Sequence, residues 1–212
     1  MFRDRIDAGL QLAEKLIKFK DENVVVLAIP RGGLPLGAIV AKALGAPLDV
    51  ALTKKIGHPF HKEYAIGAVS LEGIILTEGI EVTKGYIKEE TSRIRKKLKE
   101  RQDQYYKQRF PVNLKNKTVI IVDDGIATGN TLLATVELIG KQQPSKIIVA
   151  IPVVPSSAIR RLEVTPNVDE VICLQTPYNF QAVGQFYEEF NQVSDQEAIQ
   201  LLEETDTSKT NP

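Results

Sequence analysis

The chain has 212 residues, of which 43% are hydrophobic, so it is long enough and apolar enough to fold around one buried core. Lys and Arg together number 27, and so do Asp and Glu, and this balance gives no electrostatic reason to expect a nucleic-acid binder. The single cysteine, Cys173, excludes an internal disulfide framework and fits a reducing compartment.

The first predicted helix spans residues 4–19, where Ile6, Leu10, Ala13 and Ile17 fall on one face. Charged residues interrupt its apolar positions, so it lacks the apolar core of a signal peptide. No apolar run in the sequence approaches the length of a membrane span. We therefore expect a soluble, cytoplasmic protein that has no membrane partner.

Short apolar runs alternate with helical patterns through most of the chain. Runs of this length, rich in β-branched residues, are typical of buried parallel strands. The alternation predicts a doubly wound, mainly parallel α/β sheet, in which ligands bind beyond the carboxyl ends of the strands. The predicted strands are residues 24–29, 48–52, 118–122, 146–151 and 170–174, and the helices between them end near residues 44, 141 and 162.

Two segments are predicted outside the central sheet. Residues 65–70 and 73–77 predict a hairpin within a small flap at about residues 56–80. Residues 83–109 predict one long helix insertion with ten Lys or Arg and four Asp or Glu. This pattern is more typical of a solvated helix than of a surface that contacts nucleic acid or a partner subunit. The narrow apolar stripe of this helix consists of Ile87, Ile94, Leu98 and Tyr105.

The end of the chain contains a hood candidate at about residues 175–190. Within it we predict a helix at residues 180–190, and a last helix follows at residues 194–204. Residues 205–212 have nothing to bury and predict a disordered tail. We therefore expect a single domain, residues 1–204.

The most informative segment is residues 119–131. Asp123 and Asp124 follow four apolar residues, where the strand ends, and their carboxylates suit hydrogen bonds from sugar hydroxyls. Two glycines four residues apart then allow a tight turn into a helix, whose first N–H groups and dipole favour a phosphate. The hydroxyls of Thr128 and Thr131 can add hydrogen bonds. The segment therefore suits a ribose that carries a 5-phosphate.

This segment differs from two other phosphate-binding motifs. It has neither the Lys-Ser/Thr pair of a Walker A loop nor the G-x-G-x-x-G fingerprint of dinucleotide-binding proteins. For the two acids alone, an ordinary strand–turn–helix with two surface carboxylates is an equal alternative. The whole of residues 119–131, in which a predicted buried strand precedes the two acids and the glycine turn, favours the sugar-phosphate site over that alternative.

Residues 119–131 resemble the motif that binds 5-phosphoribosyl-1-diphosphate (PRPP) in type I phosphoribosyltransferases. The resemblance implies that Asp123 and Asp124 contact the ribose 2- and 3-hydroxyls and act in catalysis. It also implies that the next residues hold the 5-phosphate, namely Ile126, Ala127, Thr128, Gly129, Asn130 and Thr131. The order of strands and helices extends the resemblance over about residues 20–175.

The turn Pro30-Arg31-Gly32-Gly33 resembles the pyrophosphate loop of this family, which often contains a cis peptide bond. The resemblance places that bond between Pro30 and Arg31. It assigns Arg31, Gly32 and Gly33 to diphosphate binding, with Arg31 also acting in catalysis. The alternative is a glycine turn that closes a strand–helix unit.

Four residues at the start of the flap carry weaker signals. Lys54 and Lys55 end the second predicted strand and loosely match a basic pair that opens a mobile lid in orotate-type members, where it would bind diphosphate. Solvated lysines at a strand end are the alternative. His58 and His61 have a spacing that is a weak metal signal without a nearby third ligand, so we interpret them as surface residues.

In this family a variable hood near one chain end covers the base. Tyr178 and Phe180 are the candidates for stacking on it, whereas packing explains Phe186 and Phe190 equally well. Ala127 departs from hypoxanthine/guanine-type members, which carry an aspartate there for the proton of the base. Alanine occurs at that position in adenine-type members, but their other base-binding features are not evident in this sequence.

The resemblance implies a transferase that moves 5-phosphoribosyl from PRPP to a small nitrogenous acceptor, most simply a nucleobase, and releases diphosphate. Mg²⁺ is the expected cofactor, held mainly by PRPP and only indirectly by Asp123 and Asp124. The alternative is a regulatory protein that binds PRPP or a nucleotide without catalysis, in which case the basic helix contacts nucleic acid. A homodimer is a possible assembly in either case.

Overall fold

The computed structural model describes residues 1–62, 64–77, 79, 81–107 and 110–207. In chain order the elements are α1 (Arg5–Leu16), β1 (Val24–Ala28), α2 (Gly33–Leu44), β2 (Leu48–Val50), β3 (Lys54–Gly57), β4 (Ala65–Val69), β5 (Ile74–Leu76), α3 (Lys84–Tyr106), β6 (Thr118–Val122), α4 (Asn130–Gly140), β7 (Lys146–Val153), α5 (Ser156–Glu163), β8 (Glu170–Gln175) and α6 (Asp195–Thr207). Short 3₁₀ turns occur at Ile17–Phe19 and Val183–Phe186.

The central sheet has five parallel strands in the order β2-β1-β6-β7-β8. Every residue of β1 and β6 is buried, because helices cover both faces of the sheet. One face packs on α1, α2 and α6, and the other packs on α4 and α5. This arrangement explains the uninterrupted apolar runs in the sequence and confirms the predicted α/β fold.

The sheet has a topological switch point between β1 and β6. From β1 the chain crosses through α2 to β2 on one side, and from β6 it proceeds through β7 to β8 on the other. A reversal of this kind leaves a crevice outside the carboxyl ends of the two strands. Both turns that the sequence assigns to PRPP begin at these two carboxyl ends.

The flap is a separate antiparallel sheet of β3, β4 and β5, which packs against α3 through the side chains of Ile56, Ile66, Ile94 and Leu98. The predicted hairpin corresponds to β4 and β5. The prediction that Lys54 and Lys55 end the second strand is wrong, because β2 ends at Val50 and these lysines lie in β3. The chain leaves the central sheet after the backbone N–H of Ala51 donates to Ala28.

The long helix α3 begins after Thr83, whose side chain accepts a hydrogen bond from the N–H of Tyr86. It ends at Tyr106, and residues 108–109 of the predicted helix lie outside the described residues. Its apolar stripe is buried at Ile94, Leu98 and Tyr105, as the spacing predicts. Within the part of the chain that the structure describes, no helix has the length and apolar character needed to cross a bilayer.

Of the four apolar residues predicted to share one face of α1, only Ala13 is buried. Ile6, Leu10 and Ile17 are each about half exposed, at 48%, 52% and 50%. The helix instead turns its smaller residues towards α2, because the two helices approach closely at Gly9. A Cβ atom on Gly9 would lie 2.8 Å from Ile39 Cδ1. The buried residues of α1 are Ala8, Gly9, Leu12, Ala13 and Leu16.

The hood segment contains no helix of the predicted length at residues 180–190, but only the turn Val183–Phe186. The N-terminus holds the segment in place instead, because the N–H of Phe2 donates to Phe186 at 2.8 Å and the N–H of Glu188 donates to Phe2 at 2.9 Å. The last helix continues three residues beyond the predicted end at residue 204, to Thr207. Residues 208–212 of the predicted tail lie outside the described residues.

Candidate active site

The acidic pair and the glycine turn meet at the switch point. The backbone N–H of Ile29 donates to Val122 at 2.8 Å, which brings the two turns into contact. A Cβ atom on Gly32 would overlap Oδ2 of Asp124, and one on Gly33 would lie 2.5 Å from the carbonyl oxygen of Val122. Glycine is therefore required at both positions by the close approach of the other turn.

The two acids form one buried, interacting pair. Asp124 is 9% exposed and Asp123 is partly buried, and the backbone N–H of Asp124 donates to Oδ1 of Asp123 at 2.9 Å. Burial raises the pKa of both carboxyl groups, and the charge of Asp124 raises the pKa of Asp123 further. Because burial disfavours the charged form of both acids, hydrogen-bond donors or positive charge brought by a ligand would stabilise the carboxylates.

The turn after the acids presents unused backbone donors. The N–H groups of residues 127–132 have no acceptor within the described part of the chain. Gly129 has φ +74° and caps α4, so the open amides lie at the positive end of that helix. Ile126 is not one of these donors, because its N–H donates to Val153 at 3.2 Å and its side chain is buried. The side chains of Thr128, Asn130 and Thr131 are exposed beside the turn.

Arg161 fixes this turn from α5, and sequence reasoning missed it. Its Nη1 donates to the carbonyl oxygen of Thr128 at 3.1 Å, and its Nη2 donates to Oδ1 of Asn130 at 2.9 Å. These bonds engage the carbonyl side of the turn and leave the amides open. One sequence feature could have pointed to Arg161. It lies in the basic last turn of α5, the helix that follows β7, and β7 is the neighbour of β6 in the sheet.

Arg31 lines the cleft beside the acids, and the peptide bond between Pro30 and Arg31 is cis, as expected. Its Nη1 lies 3.5 Å from Oδ2 of Asp195, at the start of α6. The N–H of Gly33 donates to Ile29 at 3.0 Å and is not free, whereas that of Gly32 has no acceptor among the described residues. The turn therefore offers one open amide and one cation.

Arg5 is a second cation in the cleft that sequence reasoning did not find. Its guanidinium donates to Oδ2 of Asp124 from Nε at 2.8 Å, and Nη2 lies 2.7 Å from the same oxygen. This charge opposes the effect of burial on the pKa of Asp124. No local pattern pointed to Arg5, because 119 residues separate it from Asp124 along the chain.

Several predicted site residues lie elsewhere. Lys54 and Lys55 belong to the flap and are not among the described residues that line the cleft. Tyr178 is fully exposed in a different depression, formed with residues of α5, and Phe180 stacks on Phe186 with ring centroids 5.4 Å apart. Among the described residues, an aromatic side chain that does line the cleft is that of Phe190. His58 and His61 stack on each other in the flap, 5.8 Å apart.

Among the described residues, no group of three or more His, Cys, Asp or Glu side chains converges in a way that could hold a metal ion. The donors available in the cleft are the carboxylates of Asp123 and Asp124. This donor set fits Mg²⁺, which binds through one or two carboxylates, water and the phosphates of a substrate.

Comparison with known proteins agrees with this geometry. The family model of the phosphoribosyl transferase domain matches residues 4–190. Two Mycobacterium tuberculosis proteins, from strains CDC 1551 and H37Rv, are each named "Putative phosphoribosyl transferase" and are 38% identical over 208 residues. The match covers 96% of this chain and 46% of theirs, so the chain spans about half the length of these relatives.

A crystal structure of a Thermus thermophilus protein is similar over nearly the full chain. It is 36% identical with a TM-score of 0.87, and the match covers 96% of this chain and 98% of that one. The residues matched by the family model include both turns of the cleft, the acidic pair and the open amides. The chain belongs to the phosphoribosyl transferase domain family.

Proposed function

We propose that the protein transfers the 5-phosphoribosyl group of Mg-PRPP to a nitrogen nucleophile and releases diphosphate. The observation that carries this proposal is the meeting of two turns at the switch point of the sheet. One turn supplies paired acids and a row of open amides, and the other supplies Arg31 and the open amide of Gly32. Together they match the three parts of PRPP, which are a sugar diol, a 5-phosphate and a diphosphate.

Each part of PRPP has a place in this arrangement. The 5-phosphate binds the amides and hydroxyls between Ala127 and Thr131, at the N-terminus of α4. The ribose hydroxyls donate to Asp123 and Asp124, and the diphosphate lies against Arg31. With the diphosphate held against Arg31, the acceptor approaches C1 from the side opposite the C1–O bond that breaks.

In the reaction the C1–O bond to diphosphate breaks and a C1–N bond to the acceptor forms. The transition state gains positive charge on the ribose, and the neighbouring carboxylates stabilise that charge. Mg²⁺, when bound with PRPP, would neutralise the negative charge of the leaving diphosphate. Arg31 holds the diphosphate as it departs, which requires it to exchange its contact with Asp195 for the phosphate oxygens.

We propose a small nitrogenous acceptor, most simply a nucleobase. Ala127 is exposed at the turn and carries no group that transfers a proton. A proton that the attacking nitrogen loses therefore passes to solvent or to another group of the cleft, and not to residue 127.

The direct test is release of diphosphate from Mg-PRPP in the presence of a panel of bases. We expect release by the unaltered protein with at least one base and at least a hundredfold less by the double variant Asp123→Asn/Asp124→Asn, because catalytic electrostatic contacts are each worth about 10²–10³ in rate. Circular dichroism should show the same fold for both. Glu188→Gln/Glu189→Gln removes two exposed, adjacent acids and should leave turnover unchanged.

Two results would count against the proposal. Equal turnover in the Asp123→Asn/Asp124→Asn variant would remove the acids from the active site. Tight binding of PRPP by calorimetry without diphosphate release for any base would instead assign the protein to the regulatory alternative.

A further inference from the structure

Arg5, the first residue of α1, is held in the cleft by three different partners. Its Nε and Nη2 engage Oδ2 of Asp124 at 2.8 and 2.7 Å, and its Nη1 donates to the carbonyl oxygen of Asn191 at 2.6 Å. The guanidinium lies over the ring of Phe190, 3.9 Å from its centroid. The side chains of Arg5 and Asp124 are each only 12% exposed. Such a planar, multiply bonded guanidinium fixes the orientation of its carboxylate partner.

The backbone around Arg5 is fixed as well. Phe2 exchanges hydrogen bonds with Phe186 and Glu188, and the N–H of Glu189 donates to the carbonyl oxygen of Arg3 at 2.8 Å. The N-terminal segment therefore forms a short parallel bridge with the hood segment. The hydroxyl of Tyr187, in the same hood segment, donates to the backbone carbonyl of Asp124 at 2.6 Å. Asp124 is thus held through both its side chain and its main chain.

These contacts determine how the two carboxyl groups are oriented towards a ligand. Arg5 engages Oδ2 of Asp124, and the N–H of Asp124 donates to Oδ1 of Asp123. The two carboxyl groups also hydrogen-bond to each other. The acid that Arg5 holds is therefore one half of an interacting pair, so a change in the orientation of Asp124 also affects Asp123.

We propose that Arg5 is a positioning residue for sugar binding: it orients Asp124 so that the acidic pair can accept hydrogen bonds from the two hydroxyls of a vicinal diol. This inference rests on the proposed function, because it names how the same site recognises ribose. Arg5 acts through Asp124 and does not itself contact the sugar. A purely structural ion pair between α1 and the end of β6 would support folding but would not distinguish a diol from a single hydroxyl.

The experiment compares two sugar phosphates by calorimetry, ribose 5-phosphate and 2-deoxyribose 5-phosphate, alongside Mg-PRPP. For Arg5→Met we expect about tenfold weaker binding of Mg-PRPP and ribose 5-phosphate and less than about twofold weaker binding of the deoxy sugar, as one lost oriented contact implies. Arg3→Met is the matched control, because Arg3 is 67% exposed and its side chain pairs with Asp4, outside the cleft, and it should bind all three ligands normally.

Two further variants keep the test decisive if Arg5→Met is poorly folded. Arg5→Lys keeps a cation beside Asp124 and should recover part of the preference for ribose over deoxyribose. Arg5→Met/Asp124→Asn removes both charges of this ion pair, so neither is left without the other. Adding Arg5→Met to Asp124→Asn should cost no further affinity, since both act on the same contact.

The outcomes separate the two claims. Suppose that the unaltered protein binds Mg-PRPP, that Arg5→Met lowers affinity for both sugars equally, and that it costs the same affinity again in the Asp124→Asn background. Arg5 then does not act through Asp124, and the inference is overturned. If the unaltered protein does not bind Mg-PRPP, the proposed function fails and this inference fails with it.

Discussion

At the scale of single residues, the cleft is organised around two acids that the fold keeps in an unfavourable environment. Burial raises the pKa of Asp123, and the neighbouring Asp124 adds repulsion. Arg5 compensates the charge of Asp124, and its hydrogen bonds go to that acid and to Asn191 rather than to Asp123. A group that lowers the stability of the free protein in this way is typical of a site arranged for a ligand.

This environment gives a stability prediction for Asp123→Asn. A raised pKa means that the folded protein binds a proton more tightly than the unfolded chain, so the free energy of unfolding falls as pH rises from about the ordinary value of 3.8 through the raised pKa. Asparagine carries no charge and avoids that loss. At pH 7 the variant should be more stable by about 0.5–2 kcal/mol, with the difference shrinking as the pH approaches about 4.

Urea denaturation of both proteins between about pH 4 and pH 8 measures this difference. Asp21→Asn, an exposed acid in the turn before β1, is a suitable control and should show no comparable gain. A variant that is less stable at pH 7, or a gain that does not depend on pH, would contradict the electrostatic account.

Residues differ in how far the sequence could predict their roles. Asp123 and Asp124 were identifiable because chemistry and position coincide in one short string, at the end of a buried strand. Three other residues come from distant parts of the chain: Arg5 from α1 and Phe190 from the hood line the cleft, and Asp195 at the start of α6 contacts Arg31 there. Their approach depends on tertiary packing that no local pattern records. The motif also placed Ile126 among the residues that hold the 5-phosphate, but its N–H donates to Val153 at the end of β7, a contact that no local pattern records.

At the scale of elements, the site depends on the close contact between the ends of β1 and β6. Gly33, the first residue of α2, leaves no room for a side chain beside the carbonyl oxygen of Val122. Because that neighbour is backbone in a central strand, it cannot move without displacing the acids that follow it. The glycine turn and the acidic turn are therefore one structural unit.

Gly33→Ala tests this unit. We expect a loss of about 1–3 kcal/mol in the free energy of unfolding, typical of forced overpacking, and at least about tenfold weaker binding of Mg-PRPP. The matched control is Gly85→Ala, in α3, where a Cβ atom would meet nothing within 4 Å. That change should raise the free energy of unfolding by up to about 1 kcal/mol and leave binding unchanged.

Urea denaturation and calorimetry of the two variants provide the measurement. If Gly33→Ala bound Mg-PRPP as well as Gly85→Ala does, the contact between the two turns would not shape the site.

Elements built from strong periodic patterns were predictable, and those defined by tertiary contacts were not. The five strands of the central sheet follow from buried apolar runs, and the long helix follows from its apolar stripe. β3 has the sequence Lys-Lys-Ile-Gly, with one buried large apolar side chain, so nothing local marked it as a strand. The hood resembled a helix in its apolar residues, yet pairing with the N-terminus holds it extended.

At the scale of the whole molecule, strand order explains why the site lies where it does. The order β2-β1-β6-β7-β8 creates one switch point, and the two motif-bearing turns are the two that leave it. The sequence predicted a site beyond the carboxyl ends of the strands and the two turns that form it, whereas the strand order that brings these turns together comes from the structure. The N-terminus and the hood then complete its wall from opposite ends of the chain, through Arg5 and Phe190.

The most direct test of the central claim is a crystal structure of the protein soaked with Mg-PRPP. We predict the 5-phosphate on the amides of residues 127–131, the ribose hydroxyls on Asp123 and Asp124, and the diphosphate against Arg31. A structure in which PRPP binds at another place while this cleft stays closed would contradict the account.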